Sequence, residues 1–109
     1  MVATRKDALE IAEQVKKGLE EIYGRRLIAV YLYGSAARDE LTPDSDIDIA
    51  VILDEITDRY REHKRLSQLG ADISLQNDTV VLFLLASQQE FQTRRLAIFQ
   101  NIGREGILA

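Results

Sequence analysis

The chain has 109 residues, 46% of them hydrophobic and 29% charged, which describes an ordinary globular protein of one domain, residues 1–109, with one core and no tail or linker. A formal net charge of -4 leaves no overall basic footprint for nonspecific nucleic-acid binding, so direct contact with nucleic acid is not expected. With no cysteine there is neither a disulfide framework nor a thiolate metal site; any metal would sit on oxygen ligands or the lone His63, which suits Mg²⁺ better than Zn²⁺.

Thr4 is placed to cap a helix from about Arg5 to Tyr23, whose apolar residues Ala8, Ile11, Ala12, Val15, Leu19 and Ile22 recur at helical spacing. Asp7 falls in its first turn and Gly24 is its stop. Leu27 to Tyr33 is a short apolar and aromatic run of the kind that forms a buried strand, ending at Gly34. The sequence then predicts a short helix from Ser35 to Leu41, closed by Pro43, and a second strand from Asp46 to Leu53.

A polar helix is expected from Thr57 to about Gln76, with Tyr60, Leu66, Leu69 and Ile73 as a sparse apolar stripe. Thr79 to Ala86 is nearly continuous apolar sequence and reads as a third strand, central in the sheet because it offers almost no polar face. Ser87-Gln88-Gln89-Glu90 has the capping-box pattern and opens a last helix carrying Phe91, Leu96, Phe99 and Ile102. The order predicts an α/β domain, a small mixed sheet with helices packed on it. No long apolar signal region opens the chain, and the run from Val80 to Ala86 is too short to cross a bilayer; a cytoplasmic location without membrane contact is expected.

Two features carry chemistry. Gly34-Ser35 lies between a strand and a predicted helix, where backbone N–H groups hold phosphates, although a tight turn with a helix cap explains an isolated Gly-Ser pair equally simply. Asp46 and Asp48 alternate along a strand, so both fall on one face, roughly 7 Å apart along the backbone and within reach of one metal centre. Two carboxylates about 4 Å apart repel by roughly 4 kcal/mol at an effective dielectric of 20, and a divalent cation removes that cost. A calcium loop is excluded. Asp44, Asp46, Asp48 and Glu55 have the spacing, but Ile49 stands where the sharp turn needs glycine and apolar residues follow.

Gly34-Ser35, ten intervening residues and Asp46-Ile47-Asp48 together resemble the signature of the nucleotidyltransferase superfamily related to DNA polymerase beta, and within it the minimal nucleotidyltransferases, or MNT proteins. Tyr33-Gly34-Ser35-Ala36-Ala37-Arg38, Pro43-Asp44-Ser45, Glu90-Phe91 and Arg104-Glu105-Gly106 add to the likeness. The resemblance implies the polymerase beta-like fold and ATP bound through Mg²⁺, with Gly34 and Ser35 against its phosphates and Asp46 and Asp48 as catalytic metal ligands. Such sites usually hold three carboxylates, the third from a neighbouring strand; Asp78 is the expected third and Asp72 the alternative.

MNT proteins are often paired with a HEPN-domain ribonuclease toxin. The resemblance therefore implies a hetero-oligomer with such a toxin and an antitoxin that adenylylates one of its tyrosines. An aminoglycoside-like small-molecule nucleotidyltransferase and a non-catalytic, nucleotide-binding antitoxin acting by contact are the alternatives. Arg38 is expected in an ion pair and His63 on a solvated helix face, while Arg94, Arg95 and Arg104 give the last helix a basic side.

Overall fold

In the computed structural model, residues 4–94 and 96–109 are described; Arg95, one of the arginines expected on the basic side of the last helix, lies outside them. Helix α1 runs Arg5–Tyr23, and its start follows from capping chemistry: the Asp7 N–H donates to Thr4 Oγ1 at 3.1 Å. Gly24, at φ 55, ends it. One 3₁₀ turn, Gly24–Arg26, leads into strand β1, Leu27–Tyr33, and β2 is Ile47–Leu53. Helix α2, Arg59–Asn77, is capped by Asp58, whose carboxylate accepts from the Arg61 N–H.

The second half holds β3, Val81–Ser87, α3, Gln88–Thr93, α4, Ala97–Glu105, and a two-residue strand β4, Ile107–Leu108. The capping box at Ser87 and Glu90 forms in both directions, at 3.1 and 3.0 Å. The sheet order is β3-β2-β1-β4, with β1 antiparallel to β2 and β4 and β2 parallel to β3. It is the small mixed sheet expected.

Both faces of the sheet are covered. Ile47, Ile49, Val51 and Leu53 of β2 face a core with Val30 and Leu32 of β1, closed by Ile11, Val15 and Leu19 of α1 and Leu66 and Ile73 of α2. Ala50 and Ile52 face the opposite way, into a smaller core with Ala86, Phe91, Phe99 and Ile102. Tyr31, Phe91 and Phe99 stack there with centroid separations of 5.3 and 6.2 Å. A strand with apolar residues on both faces belongs inside a sheet, and β2 is the strand most completely buried.

Four expectations are corrected. Residues 34–39 form consecutive turns rather than a helix, because Asp39 takes a left-handed φ of 59° before a helical ladder can grow. The third strand is an edge strand, with Val80 and Leu82 about half exposed, since α2 and α3 cover its other apolar residues without a further strand. The last helix breaks into α3 and α4 at Arg94, where φ is 53°. The buried stripe of α2 is Leu66, Gly70 and Ile73 with the carboxylate Glu62 and the partly buried Leu69, and it omits Tyr60, which is 79% exposed.

Glu62 is wholly buried because three donors reach it: the Tyr23 hydroxyl at 3.2 Å, Arg26 Nη2 at 3.0 Å and Arg65 Nη1 at 3.3 Å. A buried carboxylate so satisfied ties α1 and the 3₁₀ turn to α2. Burial, with the Glu62 charge second, pushes the Tyr23 hydroxyl up to about 12, so it remains a donor throughout the neutral range.

Candidate active site

The site forms at one end of the sheet, where β1 ends and β2 begins. Tyr33, the last residue of β1, pairs with Asp48. The chain then turns at Gly34, whose φ of 70° lies in the left-handed region. A Cβ built on Gly34 would stand 2.5 Å from Asp48 Oδ2, so the backbone of the first motif is in direct approach to the carboxylate of the second. Sequence spacing could not measure that distance; antiparallel pairing of β1 with β2 creates it.

The intervening loop is held at several points. The Arg38 N–H donates to the Gly34 carbonyl at 3.2 Å and the Glu40 N–H to the Ser35 carbonyl at 2.8 Å, while Arg5 Nη2 of α1 donates to the Ala37 carbonyl at 2.8 Å. Ala36 and Ala37 are buried and anchor the turn from below. A second turn follows, in which Thr42 and Ser45 exchange backbone and side-chain bonds of 3.0 Å, and it delivers Asp46 to the start of β2. The Ile47 N–H donates to the Val80 carbonyl at 2.8 Å, which fixes that end of β2 against the segment entering β3.

Asp46 is exposed and Asp48 half-buried, and their charges interact. Burial, then the Asp46 charge, raises the Asp48 carboxyl above the usual carboxylate range, against a smaller opposing effect of Arg38. Burial and then Asp48 push the neighbouring Tyr33 hydroxyl up to about 12. Tyr33 was legible as a strand residue and as the start of the glycine-serine motif, without a role of its own. Its pairing with Asp48 makes it a wall of the site.

Arg38 pairs with Glu40 at 3.3 Å and with Glu105 of α4 at 3.7 Å, all three well exposed, so the expected ion pair forms and is worth at most about 1 kcal/mol. His63 is exposed on α2, as expected. Arg94 is otherwise engaged: its guanidinium lies 4.2 Å from the Phe91 ring centre and donates to the Phe91 carbonyl. Arg104 donates to Asn101 Oδ1 at 2.6 Å.

The structure brings Gly34, Ser35, Asp46 and Asp48 to one place and leaves Asp78 and Asp72 elsewhere. Asp78 is the exposed C-cap of α2, with φ 50°, because the helix must stop there before β3 can start. Asp72 is exposed on α2, which packs on the opposite face of the sheet. No group of three metal-ligating side chains occurs among the described residues. The residues present still fit a hard divalent cation: their donors are all oxygen, and the missing side chain at position 34 lets the Asp48 carboxylate lie directly against the turn.

The α/β domain sets a glycine-serine turn against two carboxylates at a strand end, an arrangement suited to a phosphate-bearing substrate. The model of the nucleotidyltransferase domain matches residues 12–102, and the chain belongs to that family. A relative in Methanocaldococcus jannaschii, described as a presumed protein adenylyltransferase, is 27% identical over 75 residues, 69% of this chain and 75% of that protein.

Among solved structures, a presumed nucleotidyltransferase from Sulfolobus solfataricus matches with a TM-score of 0.68 and 18% identity over 95% of this chain and 80% of that one. A toxin-antitoxin complex with AMP-PNP matches with a TM-score of 0.67 and 21% identity over 89% and 70%. The complex of tri-AMPylated Shewanella oneidensis HEPN toxin with its MNT antitoxin matches with a TM-score of 0.57 and 20% identity over 93% and 70%. These likenesses establish the nucleotidyltransferase fold.

Proposed function

We propose that this chain transfers AMP from ATP to a hydroxyl, and that the acceptor is a tyrosine of a HEPN-domain toxin bound as a hetero-oligomer in the cytoplasm. The observation that carries the reading is the approach of the Gly34 backbone to Asp48, which joins a phosphate-binding turn to a metal-binding carboxylate pair. The M. jannaschii relative and the AMPylated toxin complex support the choice of adenylyl group and of a protein acceptor.

In this reading Asp46 and Asp48 hold Mg²⁺ and the Gly34-Ser35 turn receives the triphosphate through its N–H groups and the Ser35 hydroxyl. Mg²⁺ when bound supplies charge neutralisation along the triphosphate and lowers the acceptor hydroxyl's pKa. The acceptor oxygen bonds to the α-phosphorus, the bond from that phosphorus to the bridging oxygen breaks, pyrophosphate leaves and the acceptor proton passes to solvent. Tyr33 and the Gly34 turn border the side of Asp48 toward β1 and orient the nucleotide there.

The test is transfer of label from α-labelled ATP to a HEPN partner. Label should appear with Mg²⁺, vanish with EDTA, and vanish in Asp46→Asn and Asp48→Asn. A wild-type protein that neutralises its partner without transferring label, or an Asp46→Asn/Asp48→Asn double variant that still transfers it, overturns the reading.

A further inference from the structure

The surface beside the two aspartates has a composition that the proposed function does not explain. In the parallel pairing of β2 with β3, Asp48 is level with Leu82, and residues level in a parallel pair point to the same face. The alternation confirms it: Val81, Phe83 and Leu85 join the core with Ile47 and Ile49, whereas Leu84 and Ala86 join Ala50 and Ile52 on the face of Asp48. Leu82 is therefore the side chain that flanks Asp48 on the side away from Tyr33. It is 46% exposed, and Val80, which precedes it on that face, is 51% exposed.

An exposed leucine flanked by an exposed valine beside two carboxylates contributes no ligand. The side toward β1 offers none either, since Tyr33 stands there, and among the described residues none of the loop carboxylates Asp39, Glu40 and Asp44 forms a three-ligand group with Asp46 and Asp48. We infer that Leu82 occupies the one strand position from which a third carboxylate would reach the metal. Leu82 thereby makes this a two-carboxylate centre that takes up its divalent cation only together with the triphosphate. This rests on the proposed nucleotidyl transfer at the same site.

The physical argument concerns coordination. Mg²⁺ demands six oxygens in near-octahedral order and gives up water reluctantly. Two aspartates at the open end of a sheet leave most of those positions to solvent, so the protein alone competes poorly with water. Phosphate oxygens supply both the missing ligands and the missing negative charge. The nucleotide and the cation then enter as one unit, and an empty site stays free of metal.

The experiment measures Mn²⁺ binding without nucleotide by the paramagnetic resonance of the free ion, in wild type, Leu82→Asp, Leu82→Glu and Leu108→Asp, with circular dichroism to verify the fold. Leu108 is a 63% exposed strand leucine on β4, away from Asp48, and controls for an added surface charge. A parallel titration follows AMP-PNP binding to wild type by calorimetry with and without Mg²⁺.

Leu82→Asp or its longer homologue should bind Mn²⁺ at least tenfold tighter than wild type, Leu108→Asp should match wild type, and AMP-PNP should bind wild type only when Mg²⁺ is present. Folded Leu82 variants with wild-type Mn²⁺ affinity overturn the inference alone, as does a wild type that already binds Mn²⁺ as tightly as the variants. Failure of AMP-PNP to bind wild type even with Mg²⁺ overturns the proposed function, and the inference with it.

Discussion

Gly34→Ala tests the feature on which the site depends. Its Cβ would lie 2.5 Å from Asp48 Oδ2, well inside a van der Waals contact, so the Asp48 carboxylate would have to leave its present position. The left-handed φ of 70° adds about 1–2 kcal/mol for any residue with a Cβ. Loss of glycine's freedom in the unfolded chain returns roughly 0.4–1 kcal/mol. The net backbone effect is thus about 1 kcal/mol, and the contact with Asp48 adds to it.

Gly24 supplies a control, because its φ of 55° and ψ of -124° also disfavour a Cβ yet a Cβ there meets nothing within 4 Å. Gly24→Ala should show a backbone effect alone, a loss of about 1–3 kcal/mol with a lower melting temperature and transfer unchanged. Gly34→Ala should lose about 100-fold in AMP transfer, the usual result of displacing a catalytic group by about 1 Å. The assays are thermal unfolding and the rate of label transfer from ATP. If Gly34→Ala and Gly24→Ala transferred at equal rates, the approach of the turn to Asp48 would have no catalytic meaning and the reasoning would be refuted.

Asp48→Asn should melt higher than wild type at pH 7. A carboxyl raised by burial and by Asp46 favours the protonated fold, so its contribution is present below the unfolded value and is lost as pH rises through the folded one; the gap between variant and wild type should close in unfolding curves recorded at progressively lower pH. Glu62→Ala removes the acceptor shared by Tyr23, Arg26 and Arg65 and should lower unfolding free energy by about 3 kcal/mol, the lower end of the range for a broken buried pair, because both arginines reach water. Its AMP-PNP affinity, measured by calorimetry, should match wild type, since α2 covers the other face of the sheet. Ser87→Ala removes the hydroxyl that accepts from the Glu90 N–H, leaves the backbone N–H of residue 87 donating to Glu90, and should lower stability by about 1 kcal/mol in denaturant titration. The Glu90 carboxyl, held low chiefly by that backbone N–H, should therefore stay low in the variant.

How far the sequence disclosed this structure depends on whether a feature is local. The caps at Thr4 and Ser87 and the stop at Gly24 are decided by side chains within four residues of one another, and each forms as expected. The two motifs were legible because each is also local and their types and spacing carry chemistry. What was not legible depends on partners distant in the chain. An apolar run such as Val81–Ala86 looks alike at the centre of a sheet or at an edge covered by helices, and only the pairing order separates the two. Glu62 interrupts the hydrophobic pattern of α2 and reads as a solvated residue; its burial is explained by Tyr23 and Arg26, more than thirty residues earlier. Sequence proximity put Asp78 near β3, whereas the structure makes it the C-cap of α2, and among the described residues it forms no three-ligand group with Asp46 and Asp48.

The placement of the two aspartates is nonetheless enforced by the core. Side chains on β2 alternate, so a one-residue slip in register would carry Asp46 and Asp48 into the layer beneath α1 and α2 and turn Ile47, Ile49, Val51 and Leu53 away from it. Uncovering those apolar side chains costs about 1.5–3 kcal/mol each, and burying a carboxylate without partners costs several kcal/mol more. A domain is stable by only about 5–15 kcal/mol, so the slipped register does not compete. The same alternation that builds the larger core therefore aims Asp46 and Asp48 at the open end of the opposite face, beside the Gly34 turn. Substitutions that weaken the apolar set of β2 should accordingly reduce transfer before they unfold the protein, with Ile49→Ala, beside Asp48 on the strand, the most sensitive: a loss of about 2–5 kcal/mol in denaturant titration, accompanied by slower transfer in the fraction that remains folded.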